Sequence, residues 1–208
     1  LSIRKERGCV AEMVRRFPLD GVVHAGVAPA GARAQVELTV RNGIACAVVM
    51  ARKDRTDDVA SALGIGADPA RATVTERFTA CPTAPGQWLA MAEWGGDGAL
   101  AAHLRTAVGA HGHVSEQSHG RQVVRIAGPM AREVLMRGCR LDLHPRVAGP
   151  GFCAQTPIAH IGCLLHQVDA VPTFDLVVYA GYAEAFWGWL TQTAAAFGYR
   201  AHVESFAP

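Results

Sequence analysis

The chain has 208 residues, half of them apolar, with 20 basic and 18 acidic side chains scattered along it to a net charge of +2. That length can bury one large core or two small ones, and the even mixing of charge, with no basic-aromatic interleaving, argues against a nucleic-acid binder. No apolar run approaches the ~20 residues of a membrane helix, and Leu1-Ser-Ile-Arg-Lys-Glu-Arg lacks a signal peptide's apolar centre, so a cytoplasmic protein without membrane contact is expected.

Residues 1–34 read as an arm or linker, with one short amphipathic stretch at Ala11 to Phe17, and residues 35–208 as the folded unit. Ala34 to Arg41 alternates, Asn42-Gly43 is a strong turn signal and Ile44 to Met50 is a buried run, which together predict a hairpin. Thr56 is placed to cap a helix whose Val59, Ala60 and Leu63 share a face and which Gly64 ends. Thr73 to Thr79 reads as a strand, Pro82 to Gly86 as a turn and Gln87 to Glu93 as a second strand. Asp97 is expected to cap a helix carrying Leu100, Leu104, Ala107 and Val108 up to Gly109. His113 to Ser118 and Arg121 to Ala127 then read as a strand pair around His119-Gly120.

The run Val123, Val124, Ile126 ends at Gly128-Pro129, and proline at a first helical position needs no backbone donor. Met130, Val134 and Leu135 share the face of a short helix, and Gly138 stands where a left-handed cap would stop it. A long loop follows from Cys139, then strands at Thr156 to His160, Gly162 to Val168 and Phe174 to Tyr179. A helix from Tyr182 to Phe197 closes the predicted fold, with Ala183, Phe186, Trp187, Leu190, Ala194 and Phe197 on its stripe. Trp189 falls off that stripe and is expected to anchor a partner surface. The order of elements predicts an α+β fold of two related split βαβ-like halves, with mainly antiparallel sheets.

Six cysteines in a chain of this length are too dilute for a disulfide framework and read as reduced, buried thiols. His160, Cys163 and His166 have a suggestive zinc spacing, but on a strand 163 faces away from 160 and 166, so no metal site is expected. Cys139 or Cys153 with His144 is the one nucleophile-base pairing worth naming, and a buried structural thiol is the commoner role. Neither Gly-x-Gly-x-x-Gly nor a Walker pattern occurs, so no nucleotide-cofactor site is expected. Asp142 and His144 read as residues that tie down their loop rather than as an acid-base pair.

The pattern Gly128-Pro129-x-Ala131-Arg132-x-Val134-Leu135, Gly138-Cys139, Asp142-Leu143-His144-Pro145 and Cys153-x-Gln155-Thr156 resembles the gamma subunit family of heterotetrameric sarcosine oxidase. The resemblance continues back to Pro85-Gly86-Gln87-Trp88-Leu89 and forward through Phe174-Asp175-Leu176. That family is itself similar to the folate-binding domain of the glycine-cleavage aminomethyltransferase. The resemblance implies a structural subunit, without catalytic, cofactor or metal residues of its own, that joins alpha, beta and delta subunits. FAD, FMN, NAD and tetrahydrofolate would lie in those partners, which oxidise sarcosine to glycine, make hydrogen peroxide and pass the one-carbon unit to tetrahydrofolate. Gly128, Pro129, Asp142, His144, Pro145, Cys153, Gln155 and Thr156 would then be structural or interface residues. Gln87 stands at a position the family usually fills with an acid, and Ala180-Gly181-Tyr182 replaces an expected arginine-serine. These departures leave open a sister complex acting on another N-methyl amino acid such as N-methylglutamate. A stand-alone folate-binding aminomethyltransferase-like protein and an accessory protein on the same fold are the readings from other classes.

Overall fold

The computed structural model describes residues 16–27, 33–66, 68–93 and 98–206, and most of them belong to two sheets. Strands β1 (Gly26–Val27) and β2 (Val36–Asn42) lie in the first sheet. The chain then crosses to the second and builds it from β3 (Ala45–Ala51), helix α1 (Thr56–Leu63), β4 (Thr73–Val74), β5 (Thr79–Ala84), β6 (Gln87–Ala92), α2 (Ala99–Val108) and β7 (Gly112–Glu116). It returns to the first sheet for β8 (Arg121–Ala127), α3 (Ala131–Met136), β9 (Cys153–Ile158), β10 (Ile161–Gln167), β11 (Phe174–Tyr179), α4 (Ala183–Ala194) and β12 (Tyr199–Ser205).

The strand orders are β1-β12-β2-β8-β11-β10-β9 and β4-β5-β6-β3-β7. All pairings are antiparallel except that of β12 with β2. With β1 and β2 set aside, the two orders are the same: β9-β10-β11-β8-β12 matches β4-β5-β6-β3-β7 strand for strand. Each half is a strand, a helix, a three-strand meander, a second helix and a last strand that returns on the far side of the first. This is the expected α+β fold of two related halves, with β2 inserted as an extra strand between β8 and β12.

Period-two alternation sorts the buried side chains into three layers. On the outer face of the first sheet, Leu38, Val124, Ile126, Phe174 and Leu176 pack against Val134 and Leu135 of α3 and Phe186, Trp187 and Leu190 of α4. The outer face of the second sheet does the same with Val59 and Leu63 of α1 and Leu100, Leu104 and Val108 of α2. Each of these large side chains contributes about 1.5–3 kcal/mol by leaving water, which is why two short amphipathic helices suffice to cover each sheet. Between the sheets lies a thinner layer of Ile44, Cys46, Cys81, Leu89, Val123 and Leu164.

Two predicted hairpins are corrected by this arrangement. Asn42-Gly43 does not join paired strands, because β2 bonds to β8 and β12 while β3 bonds to β6 and β7. Gly43 has φ +81°, and a Cβ there would overlap the Phe206 carbonyl, so the dipeptide serves a corner between sheets rather than a hairpin. His119-Gly120 likewise marks the return crossing, since β7 and β8 lie in different sheets. The strand expected over Thr73 to Thr79 is split by a turn in which the Thr75 hydroxyl donates to the Phe78 carbonyl at 2.8 Å.

Smaller corrections concern the caps and the ends. Thr56 is the first helical residue of α1 and Arg55 its cap, while Gly64 does end it in the left-handed conformation. Asp97 lies outside the described residues, as do Cys9 and all but the end of the Ala11 to Phe17 stretch; Gly98 occupies the cap position of α2. Strand β12 was not expected at all, although Tyr199, Ala201 and Val203 alternate with polar residues. Part of the expected arm is also structural, because Leu19 is buried in the outer core of the first sheet and β1 pairs with β12.

Candidate functional site

The family-motif residues do not converge on one point. Gly128 has φ +107° and approaches the Gln35 carbonyl at the start of β2 so closely that a Cβ would overlap it, and Pro129 leads from there into α3. Asp142, His144 and Pro145 are all exposed in the loop between α3 and β9. There the His144 N–H donates to Asp142 Oδ1 at 2.9 Å, and the Arg146 N–H donates to His144 Nδ1 at 3.2 Å. Both side chains therefore bond to backbone. Cys153, Gln155 and Thr156 lie on β9, where Cys153 and Thr156 are buried and Gln155 is exposed.

Arg132, third in the run that follows Gly128-Pro129, holds that loop in place. Its guanidinium donates to the carbonyls of Leu143 and, at 3.2 Å, Ala148, and lies 5.2 Å from the centroid of the Phe174 ring. Burial lowers its pKa from the ordinary value. Gly138 was expected to be a left-handed cap, but the cap of α3 is Arg137 in ordinary helical conformation. What Gly138 provides is space: a Cβ would overlap Trp189 Cζ2. Trp189, expected at a partner surface, is half-buried, with part of its ring packed against the outer core of its own chain and tilted 5.9 Å from the Phe186 ring.

Four of the thiols are held protonated. Burial pushes Cys46 up to about 12, and it also raises Cys139 and Cys163. Cys81 is raised by its hydrogen bond to the Cys153 thiol across the two sheets, and by burial. Cys153 thus faces Cys81 and not the exposed His144, and the candidate nucleophile-base pair is not assembled. His160 lies in the β9-β10 turn at φ +66°, Cys163 in the outer core and His166 on the opposite face, so these three do not converge either. Among the described residues no group of three His, Cys, Asp or Glu is placed to hold a metal, and no helix is long and apolar enough to cross a membrane.

The chemically distinctive place lies between the sheets. Register aligns His202 of β12, Thr39 of β2, Arg125 of β8, Asp175 of β11, His166 of β10 and Cys153 of β9 as successive cross-strand partners, one per strand. Arg125 and Asp175 are joined bidentately, Nε to Oδ1 at 2.7 Å and Nη2 to Oδ2 at 2.8 Å. That bond, chiefly, raises Arg125 above its ordinary pKa. Arg41, one rung along on β2, donates to Asp175 Oδ2 at 3.4 Å and pairs with Glu93, with Glu204 Oε2 3.6 Å from its Nε. Asp175 therefore sits between two guanidiniums, and only 8% of its side chain is exposed.

His166, next to Asp175 on the row, is 4% exposed, and neither ring nitrogen has a hydrogen-bond partner. Burial lowers its pKa, so the ring is held neutral, offering one N–H and one lone pair. Sequence reasoning weighed His166 only as a metal ligand, set that role aside, and passed over Arg41, Arg125 and Asp175 as site residues. The available signal was a charged residue at an inward position within each of three apolar runs, and it means little until register sets those runs side by side.

The fold identifies the class of protein first. It superposes on aminomethyltransferase T of the glycine cleavage system from Bartonella henselae with a TM-score of 0.59 at 16% identity, over 83% of this chain and 48% of the other, a likeness of fold alone. It superposes more fully on a chain of the heterotetrameric sarcosine oxidase from Corynebacterium sp. U-96, solved in complex with pyrrole 2-carboxylate. There the TM-score is 0.75 at 26% identity, over 88% of this chain and 96% of that one.

The family follows from the sequence. The model of the sarcosine oxidase, gamma subunit family matches residues 51–196, and the chain belongs to that family. Relatives include sarcosine oxidase subunit gamma of Corynebacterium sp. (strain P-1), 33% identical over 54% of this chain and 55% of the relative. That of an Arthrobacter sp. is 39% identical over 39% of each. The matches thus span about half or less of these curated relatives.

Proposed function

We propose that this chain is the gamma-type structural subunit of a heterotetrameric, flavin-dependent sarcosine oxidase, assembled with alpha, beta and delta subunits in the cytoplasm. The observation that carries the reading is the superposition on a chain of the Corynebacterium heterotetramer over nearly all of both chains. In this reading FAD, FMN, NAD and tetrahydrofolate are held by the partners, and sarcosine is oxidised to glycine there. The chain's own polar groups support a structural role. Its described thiols are buried, Asp142 and His144 bond to loop backbone, and Asp175 is shared by two arginines.

The test is co-purification of the tagged chain with its partners, followed by an absorption spectrum and assays with sarcosine and N-methylglutamate. A flavin-coloured complex that oxidises sarcosine is the expected result. Preference for N-methylglutamate would move the chain to a sister complex. A colourless, monomeric protein that binds tetrahydrofolate would overturn the subunit reading in favour of a stand-alone folate protein.

A further inference from the structure

At the end of the intersheet space away from the Arg125–Asp175 pair, the inner faces of the two sheets border a cavity of about 320 Å³. That is the lower end of the range for small-molecule sites. Part of its wall is apolar, made by Val48, Met50, Leu89 and Leu164. The polar part consists of the amides of Gln87, Gln117 and Gln155, the hydroxyls of Thr83, Ser115 and Tyr179, and the guanidinium of Arg121. Arg121 is the one charged side chain among the described residues that line the cavity, so the wall carries a single positive charge.

Arg121 differs from the arginines of the charged row. Arg41 and Arg125 are paired with carboxylates, whereas no carboxylate among the described residues lies within salt-bridge distance of Arg121. Its guanidinium carbon lies 3.7 Å from the centroid of the ring of Tyr179, its cross-strand partner. Stacking of this kind occupies the face of the guanidinium and leaves the N–H bonds, which lie in its plane, without acceptors. Nε is buried and has no hydrogen bond. Glu116, whose charge opposes that of Arg121 at Cys46, follows the inward Ser115 and so stands on the other face of β7, where its Oε1 accepts from the Ser118 N–H at 2.8 Å. An unpaired buried donor on a cation calls for an anionic oxygen acceptor.

The rest of the wall narrows the chemistry. One guanidinium matches one negative charge, and its planar edge fits a carboxylate. The neutral amides and hydroxyls bond a hydroxyl or carbonyl oxygen, and the wall offers no carboxylate to an ammonium group. Tyr179, 46% exposed, and the exposed Gln155 leave the way in open to solvent.

We propose that this cavity is a binding site for a small hydroxy- or oxo-monocarboxylate, its carboxylate received by Arg121 and its remaining oxygen by the amides and hydroxyls around it. The site goes beyond the subunit role and does not depend on it, since it is built wholly from this chain. Gly162 offers a way to close it: the residue shares the inward face of β10 with Leu164, and a Cβ there would meet nothing within 4 Å.

The experiment uses the full chain with ¹⁵N-labelled arginine. Lactate is the probe, with lactamide as its uncharged isostere, alanine as the analogue whose ammonium replaces the hydroxyl, and inorganic phosphate as an anion without a carboxylate. Lactate should shift the Arg121 Nε resonance saturably and raise Tm, with the other three at least about tenfold weaker, as expected for loss of a charge-assisted bond. Gly162→Leu should abolish the lactate response while leaving the free protein at least as stable, because a side chain replaces a strand glycine. Gln87→Glu, which sets an acid on the wall, should weaken lactate at least about tenfold, and less so at high salt. Lactamide, alanine or phosphate binding as tightly as lactate would overturn the proposal, as would the lack of a saturable shift at millimolar lactate. So would a folded Gly162→Leu or Gln87→Glu variant that binds lactate as well as the parent.

Discussion

The β3-β7 half and the β8-β12 half have the same strand order but opposite inner faces. In the first, β3 and β6 turn Cys46, Val48, Leu89 and Met91 inward, an almost wholly apolar surface. In the second, the inward positions of β8, β11 and β10 include Arg125, Asp175 and His166, tied to Arg41 of the inserted β2. The comparison teaches that the repeated fold asks only for apolar outer faces under the helices. The inner faces are free to diverge, and one of them has taken on charge. The extra strand matters here, because Arg41 reaches Asp175 from a position that the smaller half does not possess.

Breaking the charged row should produce the largest effect. Asp175→Ala leaves Arg41 and Arg125 facing each other in a buried layer and should cost about 3–5 kcal/mol in urea unfolding. In the other half, Arg55→Ala removes only the exposed Arg55–Asp58 pair and should stay within about 0.5 kcal/mol. If the two variants were equally mild, the row would be ornamental and the asymmetry of the halves without energetic meaning. Next comes the long loop that the smaller half lacks. Arg132→Met leaves the Leu143 and Ala148 carbonyls without their donor and should cost about 1–3 kcal/mol. Limited proteolysis should then cut first within residues 139–152.

The smallest expected effect is a pH dependence, and it sharpens the same contrast. Burial depresses the His166 pKa, while Asp175 and Arg125 beside it act in opposite senses. The unfolded chain takes up this proton near the ordinary value of 6.5 and the folded chain resists it, so the unfolded state binds more protons as pH falls. The contribution to stability is full above the unfolded pKa and declines as pH falls from there towards the depressed folded value. His166→Leu should flatten the stability curve between about pH 7 and 5 relative to the parent, measured by urea midpoints. Parallel curves for the two proteins would show that His166 is not buried neutral.

Much of the architecture was legible from the residues. The stripe of Phe186, Trp187, Leu190 and Ala194 placed α4, Gly64 ended α1, and the run of β9, β10 and β11 stood out as three strands between turns. Pairing was less legible. Asn42-Gly43 carries the local chemistry of a hairpin, yet its positive φ is used to turn a corner between sheets, and the sequence signal is the same in both cases. Gly138 was legible as a glycine position but not as the seat of Trp189, because the partner ring lies 51 residues away in the chain.

By itself the sequence determined the element types, their amphipathic faces and the membership of a family, because each of these is written in local periodicity and in contiguous motifs. Only the tertiary structure decided which strands are neighbours, and with that which inward side chains meet. Arg41, Arg125, His166 and Asp175 come from four separate strands, and a cross-strand row exists only once register is fixed. A one-residue slip would turn any of them to the outer face, which is why no pattern within a single strand could have announced the site.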